Sequence, residues 1–521
     1  MSVNTHPTSA LLEASVHRRM FLKGSLALAA ASAFGVGAQS GSALAAAPAK
    51  GGKITIGVNG QAAFGPIDPH RMSGDIAVDL ANQYNVFESL TRQANDGSLE
   101  MRLAESVTPD DDTATIWTIK IKKGVTFHDG RELKADDVIF SIKRIREPGT
   151  ISGGHIGPVK SFEKVDDHTV RMVLEAPRSW LPTGLSDPYS GMVPADFDPK
   201  TPIGTGPFQV ANVVPKESVT IKRYDKYHGE HALLDEVVLL PFEDSSALLN
   251  ALQSGQIDII NDVDASLVGE IEGNDAFKLY NSPTGKFMPI QMRTDKAPFS
   301  DPRLRQALRL VIDRDTILNS VANGYATVAN DLYGRYDPDF NDKLARHRDV
   351  EKARSLIKEA GLEGTELNLA MYKDVATALV LAENAKEIGI TINVKQLDGA
   401  AFYNEEYMER SFFGGDYYPS GPFFLISALA DGPNAGLDQV KWRDKEYLDL
   451  WNEASRTVDH EKRKTITMKL QEILFERGAW IIPIFGNELG IYRKNIVGLP
   501  NFDQSGAGII RGLSKIGFSE A

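Results

Sequence analysis

The 521-residue sequence contains no cysteine. Disulfides, thiolate nucleophiles, zinc knuckles and iron–sulfur ligation are excluded together. So is a lipid anchor on an N-terminal Cys. Positive charge is in deficit as well: 57 Lys and Arg stand against 70 Asp and Glu, a net charge of −13. No polybasic run offsets it, which argues against a nucleic-acid backbone or an anionic membrane as the main partner. Catalytic signatures are missing too, with no P-loop, no H-E-x-x-H, no G-x-S-x-G and no EF-hand acid pattern. His228 and His231 in HGEH are too sparse to bind a metal and read as a solvated loop, and the glycines Gly204 and Gly206 in PIGTGPF read as a structural turn. No metal and no cofactor are expected.

What is present begins with SVHRRMFLKGSLALAAASAFGVGAQSGSALAAA: a basic region, an apolar run from Leu26 to Ala38, then small residues through Ala43, Leu44 and Ala45. That is a cleavable export signal. The run is short and rich in Ala, Gly and Ser, whereas a membrane anchor needs about 20 strongly apolar residues. Arg18 and Arg19, followed by Phe21, Leu22 and Lys23, resemble the twin-arginine signal, implying the twin-arginine translocase as an export partner. The mature chain is expected to start near Ala46, outside the cytoplasm.

At 42% hydrophobic and 24% charged, the composition is that of a globular chain long enough for two or three lobes. Strand and helix signals alternate from Gly51 onward, so the fold class is α/β. KITIGV at 53–58 is a short strand, and 115–130 alternates Thr115, Trp117, Ile119 and Ile121 on one face before a turn at Asp129 and Gly130. Val138, Ile139, Ile142 and Ile145 recur at helical spacing. Asp301 and Pro302 open a helix, and Asp349 opens another with Ala353, Leu356, Ile357 and Ala360 as its buried face and Gly361 as its stop. Ile466, Leu470, Ile473 and Leu474 mark a late helix ending at Gly478. No repeat or flexible linker follows the signal, so the lobes are expected to pack together.

One stretch needs explanation. RSFFGGDYYPSGPFF, 410–424, sets six aromatic rings around a single acid, Asp416. A desolvated carboxylate is costly unless a cation or several donors meet it. The cation nearest in sequence is Arg410, so either Arg410 neutralises Asp416 or something from outside does. The bland alternative is that Asp416 caps a turn.

Resemblance carries the reading further. The strand leading to the F-H-D-G turn at Phe127–Gly130, and the A-D-D-V-x-F-S helix from Ala135 to Ser141, resemble the signature of the extracytoplasmic solute-binding proteins of the peptide-type (dipeptide, oligopeptide, nickel) ABC importer family, family 5. The likeness continues in order through PIGTGPF, VTIKRYDKYHGEHALLDEVVL, ALLNALQSGQIDII, APFSDPRLRQALRLVIDRDTI and DVEKARSLIKEAGL. It implies a periplasmic-binding-protein type II fold: two α/β lobes around a ligand cleft plus an extra inserted lobe. Carried over, residues 1–45 are the export signal, 50–84 with 203–286 and 487–521 form lobe I, 85–202 the insertion and 287–486 lobe II.

The function the resemblance implies is capture of di- or oligopeptides in the periplasm by hinge closure and delivery to an inner-membrane permease with ATPase subunits. The protein is expected to be a monomer and not an enzyme. Opines, metal chelates, haem and sugars are the alternative ligands within the family, and an exported hydrolase is the alternative outside it. FGGDYY supplies Asp416 where peptide binders place an aspartate for the ligand's ammonium, with Phe413 in the position of the usual Trp and Tyr417 following. Arg410 stands where some oligopeptide binders hold the ligand's carboxylate, and the loop DPHRMSGD resembles a ligand-facing segment with Ser73 and Gly74 toward the ligand.

Overall fold

A computed structural model describes residues 48–59, 64–71, 76–148, 150, 152–271, 273–404, 407–503 and 507–520. The export-signal residues Arg18, Arg19, Phe21 and Leu22, and the loop residues Ser73 and Gly74, lie outside the described residues.

Three sheets organise the chain, each with its own apolar core. In the largest, of eight strands, Lys53–Asn59 runs parallel to Glu236–Phe242 and to Ile259–Ile260. Its five middle residues are all buried, as a strand covered on both faces requires. Ile54, Ile56, Val237 and Leu239 pack on one side, Leu248, Leu252, Ile257 and Ile260 on the other. A second sheet of four antiparallel strands spans 104–174 and is covered by the helix Ala135–Ile145, whose Val138, Ile142 and Ile145 meet Trp117, Ile119, Val170 and Met172. The third, of five strands, orders Thr391–Gln396, Glu366–Met371, Phe412–Gly414, Ile290–Met292 and Trp480–Ile481.

The chain passes directly from strand to strand between the eight- and five-stranded sheets at two places, and twice more around Ala326–Val328, which pairs with Ile484–Arg493. Phe277–Lys286 leads into Ile290–Met292, and Trp480–Ile481 leads into Ile484–Arg493. Those last two long strands pair antiparallel, and Lys286 Nζ meets Glu488 Oε2 at 2.5 Å across them. Burial pushes the Glu488 carboxyl up to about 7 against the pull of Lys286.

Aspartates start the helices. Asp301 accepts from Arg303 N at 2.9 Å with Pro302 in the first turn, Asp349 from Lys352 N at 2.9 Å, and Asp459 from Lys462 N at 3.0 Å. Each satisfies an amide that has no partner inside the helix. Gly361 ends its helix at φ +67. On that helix Ala353 and Ile357 are buried but Leu356 and Ala360 only half so, because the apolar stripe is narrower than the spacing suggests. The PIGTGPF glycines permit close approach: a Cβ on Gly204 or Gly206 would lie 2.0 or 2.4 Å from the Val86 or Asn85 carbonyl oxygen. Thr205 Oγ1 donates to Glu88 at 3.0 Å, and Arg102 and Tyr227 also close on this fully buried carboxylate. His228 lies 3.7 Å from it, and His231 is exposed.

A second buried acid is met by hydroxyls. Asp431 accepts from Tyr447 at 2.7 Å, from Ser427 at 2.9 Å and from Tyr333 at 2.7 Å, and is 4% exposed. Burial pushes its carboxyl up to about 6 from an ordinary 3.8, with those hydroxyls opposing. A carboxyl whose native pKa is raised keeps its proton in the folded state. Its stabilising effect is therefore full below about pH 4 and lost as pH rises through about 6. Asp431→Asn should flatten the pH dependence of unfolding between those limits, by on the order of 2 kcal/mol. Denaturant titrations at pH 4.5 and 7 check this, and equal slopes in wild type and variant would refute it.

Candidate ligand-binding site

Asp416 sits where the central strand of the five-stranded sheet ends. Phe412–Gly414 is buried throughout, with Glu366–Met371 parallel on one side and Ile290–Met292 antiparallel on the other. The chain then turns at Gly415, φ +92, where a Cβ would come within 2.4 Å of Lys373 N. Only glycine fits that turn, and it delivers Asp416 to the edge of the sheet.

Asp416 is 7% exposed. The hydroxyls of Tyr403 and Tyr407 donate to its two carboxylate oxygens, and Gln439 Nε2 donates to Oδ2 at 3.1 Å. Tyr418 donates to Gln439 Oε1 at 2.6 Å, which fixes the amide with its NH2 toward the acid. Burial and the Asp416 charge both raise the Tyr403 and Tyr407 pKa values, so these phenols stay protonated as donors. Phe402, Tyr403, Tyr407 and Phe413 stand ring against ring, with centroids 5.1 to 6.5 Å apart. Phe413 is fully buried and backs this wall.

Arg410 does not pair with Asp416. Its guanidinium donates to the carbonyls of Phe402 and, at 2.9 Å, Ala401, and to Asn404 Oδ1 at 3.0 Å, lying 5.3 Å over the Phe402 ring. Arg410 thus braces the segment that presents Tyr403. Among the described residues no cation contacts Asp416, and neutral side-chain donors meet it instead.

Tyr417 is 53% exposed yet lies among charges from several elements. Its hydroxyl feels Lys286, Glu488, Asp262 and Asp79, and desolvation pushes it up to about 12. The acids precede or lie on strands of the eight-stranded sheet or its helix, whereas Tyr417 follows the five-stranded sheet. The described part of the DPHRMSGD loop is anchored to residues of 85–202: Asp68 pairs with Arg144 at 2.5 Å and His70 Nε2 meets Gly191 O at 2.7 Å.

Sequence reasoning missed Tyr403, Tyr407, Gln439 and the Lys286–Glu488 pair. Two tyrosines four apart in FYNEEY, just before Arg410, were the available signal.

Residues 98–435 match the family described as bacterial extracellular solute-binding proteins, family 5 Middle. The chain belongs to this family. Family 5 relatives include the dipeptide-binding protein of Escherichia coli (strain K12), 26% identical over 448 residues that cover 76% of this chain and 82% of that protein. The heme-binding protein A of Haemophilus influenzae is also 26% identical, over 74% of this chain and 78% of that protein. A periplasmic binding protein from Helicobacter pylori, solved with a peptide, superposes with a TM-score of 0.75 at 20% identity, covering 91% of this chain and 99% of that one. That likeness establishes the shared fold, the type II architecture of extracytoplasmic binding proteins. Among the described residues no helix is long and apolar enough to cross a membrane, and no group of three His, Asp or Glu could hold a metal.

Proposed function

We propose that this family 5 protein captures di- or oligopeptides in the periplasm, closes around them without altering them, and passes them to an inner-membrane ABC permease. The observation that carries this reading is Asp416, a buried carboxylate met only by neutral donors and walled by rings. Such a group receives a cation that arrives with the ligand, and a peptide's N-terminal ammonium is one. The relatives named as dipeptide- and oligopeptide-binding proteins support peptide as the ligand class.

In this reading the eight- and five-stranded sheets are the cores of lobes I and II, and the four-stranded sheet is the insertion. The approximate boundaries are 50–84, 203–286 and 487–521 for lobe I, 287–486 for lobe II and 85–202 for the insertion. Tyr417 faces the cleft. Arg410 is committed to the 401–404 backbone, so the ligand's carboxylate falls to another cation. Lys373 is suited to that role: it is exposed, its backbone lies against Gly415, and its ammonium lies over the Tyr372 ring at 5.1 Å. The protein acts as a monomer. Native mass spectrometry of the purified protein, followed by calorimetry with the peptide found, tests the reading; turnover of a peptide library or a purely non-amine ligand would overturn it.

Export by the twin-arginine translocase completes the proposal and rests on HRRMFLK. Replacing Arg18 and Arg19 by Lys should leave precursor in the cytoplasm, while the wild-type mature protein starts within a few residues of Ala46. Immunoblots of fractionated cells read the outcome, and normal export of the double variant would exclude this route.

A further inference from the structure

The four-stranded body touches the five-stranded body at a place far along the chain from both crossing segments. Ser179 N donates to Ser455 O at 2.7 Å, and Ser179 Oγ donates to Ala454 O at 2.7 Å. Those carbonyls belong to the last turn of the helix Lys445–Arg456, where Ala454 O also accepts from Thr457 N at 3.1 Å. Next to them the Trp180 indole lies flat on Phe424, centroids 4.2 Å apart and planes 4° from parallel, with Trp451 edge-on at 4.8 Å. Trp180 is 3% exposed.

The segment is rigid on its own side. Arg178 donates to the carbonyls of Gly154 and His155 at 2.9 and 3.0 Å, and its backbone N–H to Ala114 O at 3.0 Å. Its guanidinium also lies 5.4 Å over the Trp180 ring. A preset serine and a preset indole therefore meet a helix end and an aromatic slot.

We propose that Ser179 and Trp180 form a latch between the inserted body and the body that carries Asp416, and that the latch sets ligand affinity without touching ligand. This rests on the reading of the protein as a binding protein that closes around its solute. Apparent affinity is the intrinsic affinity scaled by the fraction of molecules in the binding-competent form, so a contact made only in the closed form tunes binding by changing that fraction. Ser179 and Trp180 are positioning residues in this sense. Losing the stacked, buried indole empties a slot lined by Phe424 and Trp451, and in this proposal that contact is one that opening has to break.

Small-angle scattering of the unliganded full-length mature protein provides the first test. Trp180→Ala should have a larger radius of gyration than wild type, and Trp180→Phe should fall between them. The second test uses trialanine as probe: its dissociation from Trp180→Ala should be about tenfold faster, while its saturated complex scatters like that of wild type. If Trp180→Ala does not fold, as judged by circular dichroism, Ser179→Ala combined with Trp180→Phe carries the same expectation in milder form. Identical unliganded scattering of wild type and folded variant would overturn the latch. If trialanine fails to bind wild type, the peptide reading is at fault, and the latch is still judged by the unliganded scattering.

Discussion

Asp331→Asn should be among the most destabilising single substitutions in the molecule, costing about 3 to 5 kcal/mol, the range for stripping one partner from a buried charge cluster. Three guanidiniums converge on this one carboxylate: Arg314 at 2.7 Å, Arg346 at 2.5 Å and Arg309 at 3.3 Å. All four side chains are essentially buried. The count leaves two positive charges in excess, and burial and mutual repulsion push Arg309 down to about 9 while the three arginines hold Asp331 below the usual carboxylate range. The excess is met by oriented carbonyls. Arg309 donates to Leu474 O at 2.9 Å and Gly478 O at 3.3 Å at the end of the helix His460–Arg477, where the helix dipole is negative. Arg346 lies 3.8 Å over the Phe475 ring.

Asparagine would keep the size of Asp331 and the bond from Ile482 N, now 3.0 Å, but leave three buried cations with no counter-charge. Denaturant unfolding of Asp331→Asn reads the change. A shift under about 1 kcal/mol would mean that the helix-end carbonyls alone hold the guanidiniums.

Much of the scaffold was legible because its signals are local. An aspartate followed by apolar residues at three-and-four spacing states a helix by itself, and Asp301 and Asp349 each cap as that pattern requires. Alternation at Trp117, Ile119 and Ile121 likewise gave a half-buried strand. The site was legible only in its centre. Asp416 stood out as an acid among rings, but its donors are read as apolar residues in a sequence, and a phenol's hydroxyl acquires meaning only when the chain folds back to place it. Tyr403 and Tyr407 precede Asp416 by 13 and 9 residues, Gln439 follows it by 23, and Glu488 lies 202 residues beyond Lys286. Arg410 was the nearest cation in sequence and so the natural partner. The fold sends it instead to the carbonyls of 401 and 402, because that short helical turn ends with acceptors unmet.

The neutral donors around Asp416 sharpen what its removal should do. In Asp416→Asn the pocket keeps its rings and its volume, but the negative charge is gone, and the new amide NH2 faces donors from Tyr407 and Gln439. A ligand ammonium entering that pocket would be buried without a counter-charge. Removing one partner of such a pair costs about 2 to 5 kcal/mol, or roughly thirty-fold to several thousand-fold in affinity. N-acetylating the peptide removes the other partner and should weaken wild-type binding by a similar order. The two changes made together should cost less than their sum, since the second then removes an interaction already lost. Tyr403→Phe separates charge from hydrogen bonding: it deletes one donor to Asp416 while leaving the carboxylate, so its effect should be smaller than that of Asp416→Asn and should not depend on the peptide's N-terminus. Arg410→Ala should act differently again, weakening free and amidated peptides alike, because the arginine braces the 401–404 segment rather than meeting a carboxylate. Isothermal calorimetry with free, acetylated and amidated forms of one peptide distinguishes these patterns. If acetylated and free peptides bind wild type equally well, Asp416 receives no ammonium, and its three donors make it a structural acid that ties the 403–407 segment to the strand end.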